Sequence, residues 1–216
     1  MTLPVLLEQQ PHPALARTPQ ALAWDGRHMW LSSRDLGHVY QVDVPTRKVI
    51  QEIKPPGVAW GAVAGNGCVY FTIGEGAQDD RYIYRYAPGA GFLKLFACPD
   101  FTGSYLSFDG QHLYLSQWYQ QRILQLDADG EIVRTIEVGA EICGHTFVAG
   151  TVYVLRGVEQ PEEDWRIARF TLAEKTPSVT DVAKVPFAAR SLTFDGVRFW
   201  SNHRAADETV SFVLPR

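Results

Sequence analysis

Cysteine is scarce in this chain. Cys68, Cys98 and Cys143 are the only three in 216 residues, an odd number without C-x-x-C spacing, which speaks against a disulfide framework and the familiar zinc and dithiol motifs. Runs of basic residues are missing too. The 20 Lys and Arg are scattered among 24 Asp and Glu, giving a net charge of −4. No cationic stripe is present to track a phosphate backbone, so nucleic acid is not an expected partner. Apolar runs are interrupted well short of the ~20 residues that a spanning helix needs, so no membrane association is expected. The opening "MTLPVLLEQQPHPA" has neither the basic start nor the long apolar core of a secretory signal. Phosphate loops, dinucleotide fingerprints, H-E-x-x-H and Ser-His-Asp spacings are all absent, and no nucleotide cofactor is expected. Together these absences predict a soluble, reduced, cytoplasmic protein.

What the sequence has in quantity is hydrophobic residues, 46% of the chain, with aromatics at 12%. They recur in a pattern. "ALAWDGRHMWLSS" (residues 21–33) is echoed by "YLSFDGQHLYLSQ" (105–117) and "SLTFDGVRFWSNH" (191–203). Anchoring on the residue before each turn gives Trp24, Ala64, Phe108, Val148 and Phe194, spaced by 40, 44, 40 and 46 residues. Asp-Gly between alternating apolar runs signals a hairpin, because glycine tolerates the positive φ of the turn. Within each repeat four short strands follow one another, and no segment carries a capped 3.6-residue stripe. Four strands per 40–45 residues is the signature of a propeller blade.

The fifth repeat stops after three strands, "SLTF", "RFWSN" and "TVSFVLP". The N-terminal "PVLLEQQPHPA" resembles the fourth strand of the first repeat, "KVIQEIKPPGVA". It is predicted to complete the last blade as its outer strand, avoiding an open sheet edge. The expectation is an all-β, five-bladed propeller occupying residues 1–216 as one domain.

The blade pattern, best seen in "ALAWDGRHMWLSSRDLGHVYQVDVPTRKVIQEIKPPG", resembles the plant-type glutaminyl cyclases and related bacterial propellers across nearly the whole chain. The resemblance implies a five-bladed fold. It also implies a cyclase site that closes N-terminal glutamine with carboxylates near the central pocket, where blades often open with Gln-Gly or Glu-Gly. The corresponding pairs here are Gln20-Ala21, Trp60-Gly61, Ser104-Tyr105, Gly144-His145 and Arg190-Ser191. None supplies a carboxylate, so the resemblance extends to fold and not to the acid–base groups.

In a propeller, the loops entering first strands and leaving second strands meet on one face, where the scaffold leaves them free to vary. Pooling those loops gives a ligand-binding rim of Gln20, Arg34, Trp60, Tyr105, Gln117, Trp118, Arg156 and Arg190. Aromatic walls mixed with cationic and amide groups suit a polar or anionic small molecule. Arg34 and Arg190 either clamp its carboxylate or phosphate or pair with neighbouring acids. Candidate acid–base residues are His145, His203 and Glu75. The two histidines either line the channel or share a metal, and the metal is not favoured because no third ligand has recognisable spacing. Cys143, two residues before His145, is either a thiolate partner or a small buried core residue. Three functions fit this rim: ligand binding, acid–base catalysis of the lyase, cyclase or isomerase kind, and a protein-interaction scaffold.

Overall fold

The repeat built around each Asp-Gly turn is a blade. A computed structural model describes residues 2–215, and its strands form five four-stranded antiparallel sheets. The chain enters with β1 (Leu7–Pro13). Blade 1 comprises β2 (Pro19–Trp24), β3 (Met29–Ser33), β4 (His38–Asp43) and β5 (Lys48–Ile53). Blade 2 comprises β6 (Val58–Gly65), β7 (Cys68–Glu75), β8 (Asp80–Ala87) and β9 (Gly91–Ala97). Blade 3 holds β10 (Leu106–Phe108), β11 (Leu113–Gln117), β12 (Arg122–Leu126) and β13 (Ile132–Glu137). Blade 4 holds β14 (Glu141–Val148), β15 (Thr151–Val158), β16 (Asp164–Thr171) and β17 (Thr180–Val185). Blade 5 is built from β18 (Ala189–Phe194), β19 (Phe199–His203) and β20 (Glu208–Val213). It is completed by β1, which pairs with β20 as its outer strand. The first strands neighbour one another in the cycle β2, β6, β10, β14, β18 and back to β2.

Aspartate does more in the turns than accompany glycine. Asp25 Oδ1 accepts the backbone N–H groups of Arg27 and His28, and its Oδ2 accepts the Trp30 indole N–H at 2.8 Å. Asp109 repeats this with Gln111, His112 and the Tyr114 hydroxyl, and Asp195 with Val197, Arg198 and Trp200. The motif is therefore Asp-Gly followed by an aromatic five residues after the Asp. Its carboxylate fastens the first hairpin to the ring that fills the next interblade core. Burial works to raise the Asp25 and Asp109 pKa values, but these donated hydrogen bonds outweigh it and hold both below the ordinary range. The glycines take φ of +93°, +100° and +98°. Blades 2 and 4 replace the device with tight turns at Asn66-Gly67 and Ala149-Gly150, in which both residues have positive φ.

Five hydrophobic clusters fill the spaces between blades. Trp30, Phe71 and Tyr86 meet between blades 1 and 2, and Leu115 and Leu124 meet Ile83 between blades 2 and 3. Tyr114, Val154 and Phe170 pack between blades 3 and 4. Trp165 and Phe199 fill the space between blades 4 and 5, and Trp200 with Leu22 and Met29 that between 5 and 1. Nearer the axis, specific groups join the inner strands. Ser191 Oγ bonds both the N–H and the C=O of Leu22, and Asn202 Nδ2 donates to Gln20 O, closing blade 5 onto blade 1. Ser32 Oγ donates to Ala59 O between blades 1 and 2. His145 closes blades 3 and 4: Nδ1 lies 2.6 Å from Ser107 Oγ, and Nε2 lies 3.1 Å from Tyr105 O. The other two joints are glycines. A Cβ on Gly61 would stand 2.2 Å from Ser104 O, and one on Gly144 2.5 Å from Leu192 N.

The N-terminal segment also reaches blade 4. Leu6 N donates to Lys184 O, and Lys184 N donates to Pro4 O, before β1 continues onto blade 5. It thus spans the outer edges of two blades.

Two measurements probe these joints. Asp109→Ala removes two backbone caps and the partner of a buried Tyr114 hydroxyl. It is expected to cost about 1–3 kcal/mol in urea denaturation. His145 is fully buried, and burial lowers its pKa from 6.5 to about 4, only partly opposed by the Tyr105 backbone bond. The unfolded chain therefore binds this proton more readily than the folded one. Stability should decline as pH falls from 6.5 to about 4, by up to about 3 kcal/mol, and this contribution should level off below that. Denaturation across the range would show the slope, and His145→Asn should remove it.

Candidate functional site

Four of the five inner strands depart from their ladders near the top of the channel. In blade 1 the register steps from Pro19–Ser33 to Leu22–Leu31, so Gln20 and Ala21 together oppose one residue. Trp60 is the extra residue in blade 2, and Cys143 in blade 4. Blade 5 steps between Arg190 and Thr193, while in blade 3 Ser104 and Tyr105 precede β10. Bulges bend a strand and re-aim side chains. Here Gln20, Trp60, Tyr105 and Arg190, one from each of four blades, reach the lining of one cavity of about 460 Å³. The loops leaving second strands extend it with Arg34, Trp118, Tyr119, Glu159 and Arg204.

Its floor is a hydrogen-bonded chain. Gln20 Nε2 donates to the Tyr105 hydroxyl at 3.0 Å, and Gln20 Oε1 accepts from Arg204 Nη1 at 2.7 Å. Gln20 and Tyr105 are both buried, and burial keeps the Tyr105 phenol protonated, its pKa well above the usual value. Arg190 occupies one wall and is only 4% exposed. It meets Glu159 at 2.6 Å and Glu163 at 2.9 Å, and it faces the Trp165 and Trp118 rings at 5.3 and 5.9 Å. Burial opposes its charge, yet Glu163, through its hydrogen bond and its charge, helps raise the pKa overall. Glu163, in turn, is pushed up by burial but held below its ordinary value by Arg190 and the Trp165 indole. On another wall Trp60 is stacked by Arg81 at 4.2 Å, with Arg34 at 5.4 Å. Asp79 orders this side, accepting from the Trp60 indole and pairing with Arg81 at 2.6 Å.

Of the eight ligand-binding residues expected from sequence, the cavity brings together Gln20, Arg34, Trp60, Tyr105, Trp118 and Arg190. Gln117 is buried beneath the rim. It donates to Pro99 O and Thr102 Oγ1 and accepts from Arg122, fixing the loop into blade 3. Arg156 faces away to blade 4, bonding Asp181 and Val138 O. The three acid–base candidates do not converge. His145 is the joint described above, and both its ring nitrogens are engaged. His203, at the end of β19, lies 3.6 Å from Glu208 and packs on Phe187. Glu75 bonds the Tyr84 hydroxyl and meets Lys94 at 2.7 Å on the flank of blade 2. Among the described residues no three His, Cys, Asp or Glu side chains cluster as a metal site. Cys143 is wholly buried, and burial pushes its thiol well above the ordinary range.

Two lining residues, Arg81 and Glu141, were not singled out from sequence. Arg81 reaches in from the third strand of blade 2, a position that the loop rule ignores. Arg204 follows β19 in a short 3-10 turn. Glu141, at the start of β14, accepts Glu159 N at 2.7 Å, and Glu159 belongs to the acidic loop beside it. Carboxylates therefore do reach the cavity, from blade 4 rather than from the inner-strand pairs.

No protein-family model matches the sequence, and no curated protein matches it. Solved structures match in fold. The glutaminyl cyclase of Myxococcus xanthus superposes with a TM-score of 0.70 at 14% identity, over 98% of both chains. The PQQ-bound aldose sugar dehydrogenase of Streptomyces coelicolor gives 0.60 at 14% identity, over 99% of this chain and 100% of that one. Virginiamycin B lyase of Staphylococcus aureus, solved as an inactive variant with quinupristin, gives 0.55 at 12%, over 94% and 83%. The fold-level resemblance to glutaminyl cyclases is thus shown by structure.

Arg190→Met tests the wall. It leaves Glu159 and Glu163 without their shared cation, so a loss of about 3 kcal/mol is expected in chemical denaturation. Carboxyl NMR should show the Glu163 titration moving to higher pH. An unchanged Glu163 titration would mean that Arg190 does not hold this wall.

Proposed function

We propose that this protein binds a small polar or anionic molecule in the cavity at the channel mouth. The observation that carries the reading is the convergence of four inner strands on one pocket, with Gln20 and Trp60 at bulges, Arg190 beside a third and Tyr105 just ahead of β10. Unrelated seams of the ring each contribute an aimed side chain, Gln20, Trp60, Tyr105 or Arg190, to a single 460 Å³ space. That volume is within the range of small-molecule sites, which combine apolar or aromatic walls with a few placed polar groups. Trp60, Trp118 and Tyr119 provide the walls, and Tyr119 is 88% exposed. Two of the similar folds were solved with PQQ and with quinupristin, which is consistent with a scaffold able to hold small molecules.

Binding is favoured over catalysis by the state of the titratable groups. Glu163 is kept ionised by Arg190, Tyr105 is kept protonated by burial, and His145 is neutral and committed at both nitrogens. A general acid or base works best with a pKa near the operating pH, and none of these three has one. One observation supports the second reading, an enzyme of the lyase, cyclase or isomerase kind: Glu141 and Glu159 place carboxylates in the cavity.

A fluorescence-monitored screen of small polar compounds, neutral and of either charge, tests the binding reading through the tryptophans that line the cavity. Compounds that shift the emission should bind at least ~10-fold more weakly to Trp118→Ala, with the melting temperature little changed. Equal binding by Trp118→Ala would remove the cavity from consideration. Turnover of a bound compound that is lost in Glu141→Gln would establish the enzyme reading instead.

A further inference from the structure

The arginines of the cavity are not equivalent. Arg81 is neutralised by Asp79, and Arg190 by both Glu159 and Glu163. Arg34 and Arg204 have no carboxylate within 4.0 Å among the described residues. Arg204 is only half-exposed, and its one side-chain hydrogen bond is to the amide oxygen of Gln20. Arg34 contacts the Trp60 ring and makes no side-chain hydrogen bond among the described residues. The two reach the same cavity from blades 5 and 1. Burial lowers the Arg204 pKa, aided by Arg190 and Arg34 and opposed by Tyr105 and Glu159.

Arg34 is exposed and Arg204 half-buried, and an anion between them would be attracted by both guanidiniums. Guanidinium forks match a carboxylate closely. The Arg204 fork is also held in place beforehand, because Tyr105 anchors the Gln20 amide whose oxygen accepts from it. Blade 4 sets the opposite condition. Glu141 accepts a backbone N–H and has no cation within 4.0 Å among the described residues, while Glu159 and Glu163 share a single arginine. A second negative group entering this cavity would meet those carboxylates.

Resting on the binding reading above, the geometry points to Arg34 and Arg204 as a clamp for a single carboxylate, on a molecule whose uncharged aromatic or apolar body lies among Trp60, Trp118 and Tyr119. The clamp comprises Arg34 and Arg204, not Arg34 and Arg190, because Arg190 is fully occupied. The acids of blade 4 make the site selective for monoanions over dicarboxylates. Gln20 is a positioning residue, acting through Arg204.

Benzoate, benzamide and terephthalate share a ring and differ in charge, so they are suitable probes for ligand-observed NMR on the intact protein at millimolar concentration. Benzoate should bind, benzamide should not, and terephthalate should be weaker than benzoate. Arg204→Gln and the exposed Arg34→Gln should each weaken benzoate by ~10-fold or more. Gln20→Glu keeps the side-chain shape but gives Arg204 a carboxylate partner, and it should weaken benzoate similarly. Failure of benzoate to bind would overturn the clamp, as would equal binding of benzamide, or of benzoate by Arg34→Gln. Terephthalate binding as well as benzoate would overturn the monoanion selectivity. If a neutral or cationic compound from the screen depends on Trp118 while benzoate is silent, the cavity stands as a binding site and the clamp alone falls.

Discussion

Five inner strands meeting around one axis must be joined edge to edge without a continuous ladder to hold them. Everything else in this protein follows from how those five joints are made. Three use side chains that substitute for ladder hydrogen bonds: Ser191 with Asn202, Ser32, and His145. Two use glycine, where Gly61 and Gly144 let backbones approach more closely than any Cβ allows. A buried polar group costs free energy unless it is paired, so a joint made this way is intolerant of change in a way that the apolar clusters outside it are not. Large apolar residues there can be exchanged for others of similar volume. The joints cannot.

The same constraint creates the site. Four inner strands carry an irregularity in their pairing near one end of the channel. Two of the displaced residues, Gln20 and Trp60, line the cavity, while Ala21, Cys143, Ser191 and Leu192 are absorbed into the packing and the joints. Joint and site are adjacent turns of the same strands, which is why Gln20 can accept Asn202 through its backbone and hold Arg204 through its side chain. The cavity inherits its rigidity from the ring.

The blades were legible because their period is enforced locally. An Asp-Gly turn and the aromatic five residues after its Asp form one hydrogen-bonded unit, and such a unit must recur in sequence wherever it recurs in space. The final blade was legible for a related reason, since an unpaired sheet edge demands a partner and the chain offers one at its start. The site was legible only as far as position in the blade determines direction. Gln20, Trp60, Tyr105, Trp118, Arg34 and Arg190 reach the cavity as their places in the repeat imply. What sequence does not show is which of two available partners a polar side chain takes. Gln117 turns down to the loop at Pro99, Arg156 turns out to Asp181, Glu75 turns to Lys94, and His145 turns across to Ser107. Arg81 arrives by length alone, from a strand that by rule belongs to the blade's flank. Gly74 leaves room for Asp79, the residue that directs Arg81 onto Trp60.

The pairing of β1 with β20 joins residues near Leu7 to residues near Val213. On a ribosome β1 is made well before β20. Until β20 emerges, β1 has no strand to lie on, and blade 5 consists of its inner hairpin alone. The blade is therefore completed by pairing an early-made strand with a late-made one, and contacts of such large sequence separation form slowly. Through that interval blades 1 to 4 can each complete their own sheets, while the blade that carries Arg190 and Arg204 to the cavity is still half built.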